Sequence, residues 1–175
     1  PRPQWAPPIL GGINFLIFSR AAAAAAEVDD DALNEAHWAY MDGHAAGMVA
    51  RGPTLGADRE TWTGSIHIVD LPDAAAARAF VADEPYQRAG LFDHHLIRRF
   101  ENRLGRTMWE FPGAPDESRF FVLADAPVRL PRERLIVWGD LFTTDDGRPA
   151  GFALALQAPA RTEVEALVGD DAEIF

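Results

Sequence analysis

One separation recurs through this chain. Gly52 and Gly139 are 87 residues apart, and so are Gly64 and Gly151. The stripe Ala77, Phe80, Val81, Glu84 returns at the same offset as Val164, Leu167, Val168, Asp171. Agreement of two glycines, a helical stripe and its terminal carboxylate at one offset argues for a degenerate duplication. The copies are unequal. Phe15 to Gly52 spans 37 residues, whereas Phe120 to Gly139 spans 19 and contains Pro127 and Pro131. The second copy has therefore lost about 18 residues, the length of one helix, and with them any counterpart of His37. The chain ends at Phe175, where the last strand of that copy is expected to begin. A linker at Pro112-Gly113-Ala114-Pro115 separates a first domain, 1–112, from a second half, 118–175.

Within the first copy, Ile13–Phe18 is a continuous apolar run, the mark of a strand buried on both faces. The six alanines from Ala21 to Ala26 read equally as a helical turn or a loop. From Asp31 to about Arg51 the pattern is helical: Leu33, His37, Tyr40, Met41, His44 and Met48 share one face, and Gly52-Pro53 stops the helix. Thr61–Asp70 alternates and is β-branched, a strand. Asp73 caps a short helix that Pro85 ends, and Leu91–Phe100 resumes a strand. The order β-α-β-β-α-β is a split βαβ, so the fold class is α+β, ferredoxin-like. The two copies are expected to pack as a pseudo-dimer within one chain, with the second incomplete.

Composition narrows the function. With 16 basic and 27 acidic residues the net charge is -11, a field that repels phosphate backbones and acidic lipid. Neither nucleic acid nor a membrane is an expected partner. The absence of cysteine excludes disulfides, thiolate metal sites and cysteine nucleophiles. All basic residues are arginine, so Schiff-base lysines and a P-loop are excluded too. The proline-rich amino end has no signal-peptide pattern, and the expected location is cytoplasmic.

The segments ALNEAHWAYM, GHAAGMVARGPTLG, TWTGSIHIVD and AFVADEPYQRAGLFDHHLIRRF follow one another between Ile13 and Phe100. A helical histidine before Gly-Pro, a Thr-Gly-Ser strand, and an acidic-Pro-Tyr triplet before Ala-Gly resemble the YCII-related family of dimeric α/β-barrel proteins. The resemblance implies a His-Asp dyad, with the histidine on the first helix and the aspartate in an Asp-Pro-Tyr triplet. The matching positions are His37 and Glu84, in Glu84-Pro85-Tyr86. Glu for Asp lengthens the arm by one methylene, which leaves Asp83 as an alternative partner.

The residues point the same way by themselves. His37 and Glu84 each project from the apolar stripe of their own helix, and both helices of a split βαβ lie on one sheet face. Burying an unpaired carboxylate is costly, and a neighbouring imidazole relieves that cost. Such a pair is a general base with its orienter. The alternatives are a structural pair that merely satisfies two polar groups, or a metal site formed with His67. His44 reads as a core histidine or a pocket lining. His94 and His95 face opposite sides of a strand, so neither forms a site alone. Asp145-Asp146-Gly147 is a hairpin turn. Trp62, Tyr86, Trp38 and Phe92 are aromatics for an apolar pocket, and Tyr86, His44, His67 and Trp62 are the candidate substrate-binding side chains.

The expected function is proton transfer by His37 and Glu84, an elimination or isomerisation of lyase type. The expected substrate is small and apolar or aromatic, and no cofactor or metal is required. The alternative is a non-catalytic ligand-binding or accessory protein of a biosynthetic pathway. A cofactor-independent oxygenase or cyclase is reachable from fold analogy alone. A homodimer is a further option beside the intramolecular pseudo-dimer.

Overall fold

Phe15, Leu16, Ile17 and Phe18 are each no more than 3% exposed, so the apolar run does build a strand covered on both faces. A computed structural model describes residues 13–23, 25, 30–114, 116–128 and 130–175. The proline-rich amino end and part of the alanine run lie outside these residues; Ala21 closes the first strand. The chain divides into two compact units after Ile97.

In the first unit β1 (Ile13–Ala21) is followed by α1 (Asp31–Gly43), β2 (Met48–Leu55) and β3 (Trp62–Leu71). Next come α2 (Ala74–Asp83), α3 (Pro85–Arg88) and β4 (Phe92–Asn102), which runs past the division. The strand order is β2-β3-β1-β4, with β1 and β2 antiparallel to β3. This is the order a split βαβ produces. The core of the unit joins Phe15, Ile17, Met41, Met48, Val69, Ala77 and Phe80, so both long helices lay their apolar stripes on the sheet.

The first helix is shorter than its periodicity suggests. It stops at Gly43, a 3-10 turn covers Ala45–Gly47, and β2 starts at Met48. Met48, Val49 and Ala50 are buried strand residues, and Gly52-Pro53 lies inside the strand. A continuous apolar run fits helix and strand periodicity alike, and here pairing with β3 decides it.

The second unit contains β5 (Ser118–Ala124), β6 (Leu135–Phe142), β7 (Pro149–Ala158), α4 (Arg161–Val168) and β8 (Ala172–Ile174). Their order is β6-β7-β5-β8. Between β5 and β6 stands one 3-10 turn, Arg132–Arg134, where the first unit has α1. Thr143 and Asp146 tie the β6–β7 hairpin together, and Gly147 turns it at φ +66°. The last strand, expected to begin where the chain ends, is already present as β8, paired with Val122–Ala124 of β5.

The registers of the two units agree. Gly52 pairs with Ile66 and Gly139 with Ala153, both partners shifted by 87. Phe15 pairs with Val69 and Phe120 with Leu156, again by 87 on the central strand. Gly64 and Gly151 adopt φ of +150° and +98°. A Cβ at Gly64 would collide with the carbonyl oxygen of Ser19, and one at Gly151 would lie 2.6 Å from that of Ala124. Ser19 and Ala124 occupy the same place on the first strand of their units. The helical stripe repeats less faithfully: Ala77 and Val164 are both fully buried, but Leu167 is 37% exposed where Phe80 is buried. Among the described residues no helix is long and apolar enough to cross a membrane.

Candidate active site

Two local signals place His37. Asp30 caps α1 by accepting from the Leu33 N–H at 3.0 Å, and the helix then runs uninterrupted to Gly43. Asn34, His37 and Met41, spaced i, i+3, i+7, share a face and line one cavity of about 790 Å³. The His37 side chain is 12% exposed.

Glu84 sits at the joint between two helices. It ends α2 in an extended conformation (φ -64°, ψ 128°), and Pro85 starts α3. Both carboxylate oxygens are engaged. Oε2 accepts from the Gln87 N–H at 2.8 Å and caps α3, while Oε1 lies 2.6 Å from His37 Nδ1. The longer arm of Glu thus reaches the imidazole. Asp83 instead pairs with Arg88 at 2.5 Å on the exposed side of α2. A carboxylate that is only 4% exposed is held by a charge-assisted bond on one side and a helix end on the other.

The carboxylate also fixes the tautomer of His37. It accepts the Nδ1 proton, so Nε2 keeps the lone pair on a ring that forms part of the cavity wall. Tyr86 covers one face of that ring, with centroids 4.1 Å apart and planes within 5°. Its hydroxyl donates to Asn34 Oδ1 at 2.7 Å. Burial, and then the charge of Glu84, raise the Tyr86 pKa, so the phenol remains a neutral donor.

His67 stands on β3 with its ring centroid 6.3 Å from that of His37. Ser65 and His67, two apart on the strand, both face the cavity. Burial first, then the neighbouring His37, hold the His67 pKa down at about 3, so the ring stays neutral. Trp62 lines the cavity and meets Tyr86 and Phe92 at centroid distances of 5.6 and 5.5 Å. Trp38 lines it as well, 61% exposed.

Of the side chains singled out from sequence, His37, His67, Tyr86, Trp62 and Trp38 surround one space, with Glu84 directly behind it. His44 is elsewhere. It caps α1, with its ring against Tyr40 and Phe80 at 4.9 and 4.8 Å, and burial lowers its pKa. Phe92 supports Trp62 without lining the cavity. Asp171, 87 residues after Glu84, is exposed. Among the described residues no three His, Asp or Glu side chains are grouped to hold a metal ion.

Sequence reasoning passed over Asn34, Arg51, Thr61 and Ser65, all on the cavity wall. Two of them had a signal. Asn34 lies one turn before His37 on the same helical face, and Ser65 shares the strand face of His67. Arg51 was hidden by its assignment to the helix, and Thr61, read as the first residue of a strand, lies just before β3.

A family model described as the YCII-related domain matches residues 13–101. Among solved structures the chain is similar to the 5-chloro-2-hydroxyhydroquinone dehydrochlorinase (TftG) from Burkholderia phenoliruptrix AC1100, in complex with 2,5-dihydroxybenzoquinone. The identity is 29%, the match covers 53% of this chain and 98% of that one, and the TM-score is 0.48. No curated protein matches the chain.

Proposed function

This chain belongs to the YCII-related domain family, and from that premise we propose that it is a lyase-like enzyme whose base is His37, oriented by Glu84. The observation that carries the reading is the 2.6 Å contact between His37 Nδ1 and Glu84 Oε1 at the wall of a cavity large enough for a small organic molecule.

The chemistry follows from the tautomer. Nε2 takes a proton from a carbon of the bound substrate, and His37 becomes an imidazolium against the Glu84 carboxylate. The electron pair released from the C–H bond forms a new double bond. In an elimination a leaving group on the adjacent carbon departs with its bonding pair; in an isomerisation the pair of an existing double bond shifts to a different carbon, which takes the proton back from Nε2. Glu84 keeps its charge throughout and stabilises the imidazolium. Tyr86 supports the same charge from the ring face.

The walls suit a small, partly aromatic substrate. Trp38, Trp62 and Tyr86 supply apolar surface, and Asn34, Ser65 and the neutral His67 supply hydrogen bonds for its polar substituents. A soluble-ligand location such as the cytoplasm fits this reading, and no nucleic acid takes part.

The test is a panel of small aromatic and enolisable compounds carrying a β leaving group, incubated with the parent protein and with His37→Ala. Turnover by the parent and its loss in the variant is the expected result. Compounds that bind with saturation and are never turned over would replace this reading with a ligand-binding protein.

A further inference from the structure

Behind Glu84 lies a second polar group that the proton transfer does not use. His95, on β4, is engaged at both ring nitrogens: Nε2 is 2.7 Å from Gln87 Oε1, and Nδ1 is 2.9 Å from Ser19 Oγ. A carbonyl oxygen can only accept, so Nε2 carries the proton. Nδ1 then accepts from the Ser19 hydroxyl, which is itself buried. Burial, and then the neighbouring His94, hold the His95 pKa below its ordinary value, which keeps this single-proton form.

Gln87 links this clamp to the site. Its backbone N–H donates to Glu84 Oε2 while its side chain accepts from His95. Gln87, one of the two residues that His95 grips, is therefore the residue that fixes the second oxygen of the carboxylate. α3 has only four residues, Pro85–Arg88, too short to hold its own geometry. Something outside the helix must fix its first turn. Ser19, Glu84, Gln87 and His95 meet around a void of only about 10 Å³, so the carboxylate has little room for another position.

We propose that His95, clamped between Ser19 and Gln87, is a positioning residue that sets the Glu84 carboxylate against His37. It never meets the substrate; it works through Gln87 on the orientation of Glu84. The inference rests on His37 and Glu84 being the working pair, and its test needs no substrate, so the two readings fail separately.

The test is proton–nitrogen NMR of the histidine side chains in the full chain. In the parent, the His37 Nδ1–H should be protected from exchange with solvent, and His95 should carry its proton on Nε2. His95→Leu should lose the His37 protection, and His95→Gln, which can still donate to Gln87 and accept from Ser19, should restore it. His94→Gln, an exposed neighbour, should leave the signal unchanged. With a turned-over substrate, His95→Leu should lower kcat by about tenfold or more with KM little changed, the mark of a base out of line rather than a lost binding contact. If His95→Leu does not fold, Gln87→Met removes the same bond from the other side. A folded variant of either kind with the His37 Nδ1–H as long-lived as in the parent overturns the proposal.

Discussion

Tyr86 lies flat on His37, with ring centroids 4.1 Å apart and planes within 5°, while its hydroxyl reaches Asn34 at 2.7 Å. The stack and the hydrogen bond do different things. The stack holds the plane of the imidazole, and the bond ties α3 to α1 one turn before His37. Tyr86→Phe should keep the stack and lose about 0.5–1.5 kcal/mol of stability, the usual net worth of one hydrogen bond. Tyr86→Ala should lose roughly that again from the aromatic contact, together with turnover. Urea titrations of both variants beside the parent check the order; equal losses would mean that the stack is idle.

A second expectation concerns acid. The folded state holds the His67 pKa at about 3, far below the ordinary histidine value of about 6.5 that the unfolded chain has. Between those values the unfolded state binds a proton that the folded state refuses, so stability rises with pH there. His67 thus costs nothing above about pH 6.5 and progressively destabilises the fold as pH falls toward 3. His67→Phe removes this term. Between pH 7.5 and 4.5 the parent should lose about 2–3 kcal/mol more than the variant. Denaturant midpoints at the two pH values measure it, and parallel losses would show that His67 charges freely.

The two units make a matched pair of predictions at Gly64 and Gly151. Both hold positive φ, and both bring their Cα against a carbonyl oxygen of the first strand. Gly64→Ala and Gly151→Ala should each destabilise by about 1–3 kcal/mol from backbone strain, and by more where the carbonyl cannot move. Gly52→Ala, with open space around its Cα, should cost far less. Chemical denaturation of the three variants tests the ranking, and a Gly64→Ala as mild as Gly52→Ala would overturn it.

Much of this was readable in the residues. The offset of 87 relates strand positions whose registers agree, and at Gly64 and Gly151 it joins two glycines that each lie against a carbonyl oxygen of the first strand of their unit. The pairing of His37 with Glu84 was expected from the family resemblance, and from a histidine and a carboxylate each carried on the apolar stripe of its own helix. Other features were not. The strand at Met48 reads as helix because His44 and Met48 continue the face of α1, and only pairing with β3 overrides that. His44 shares the helical face of His37 yet packs on Phe80, since α1 has ended by then and the chain turns away. The role of His95 was invisible, because adjacent histidines on a strand say nothing of Ser19 and Gln87, which are 76 and 8 residues away.

We propose that His37, held by Glu84, removes a proton from carbon. Deuterium incorporation into small enolisable aromatic compounds, followed by NMR in heavy water, reads that step whether or not elimination follows. The parent protein should catalyse the exchange. His37→Ala should fall to background, a loss on the order of 10²–10⁴-fold, and Glu84→Gln should retain part of the rate, because an amide oxygen still accepts the Nδ1 proton but brings no charge. Folded His37→Ala exchanging deuterium at the parent rate would mean that His37 is not the base.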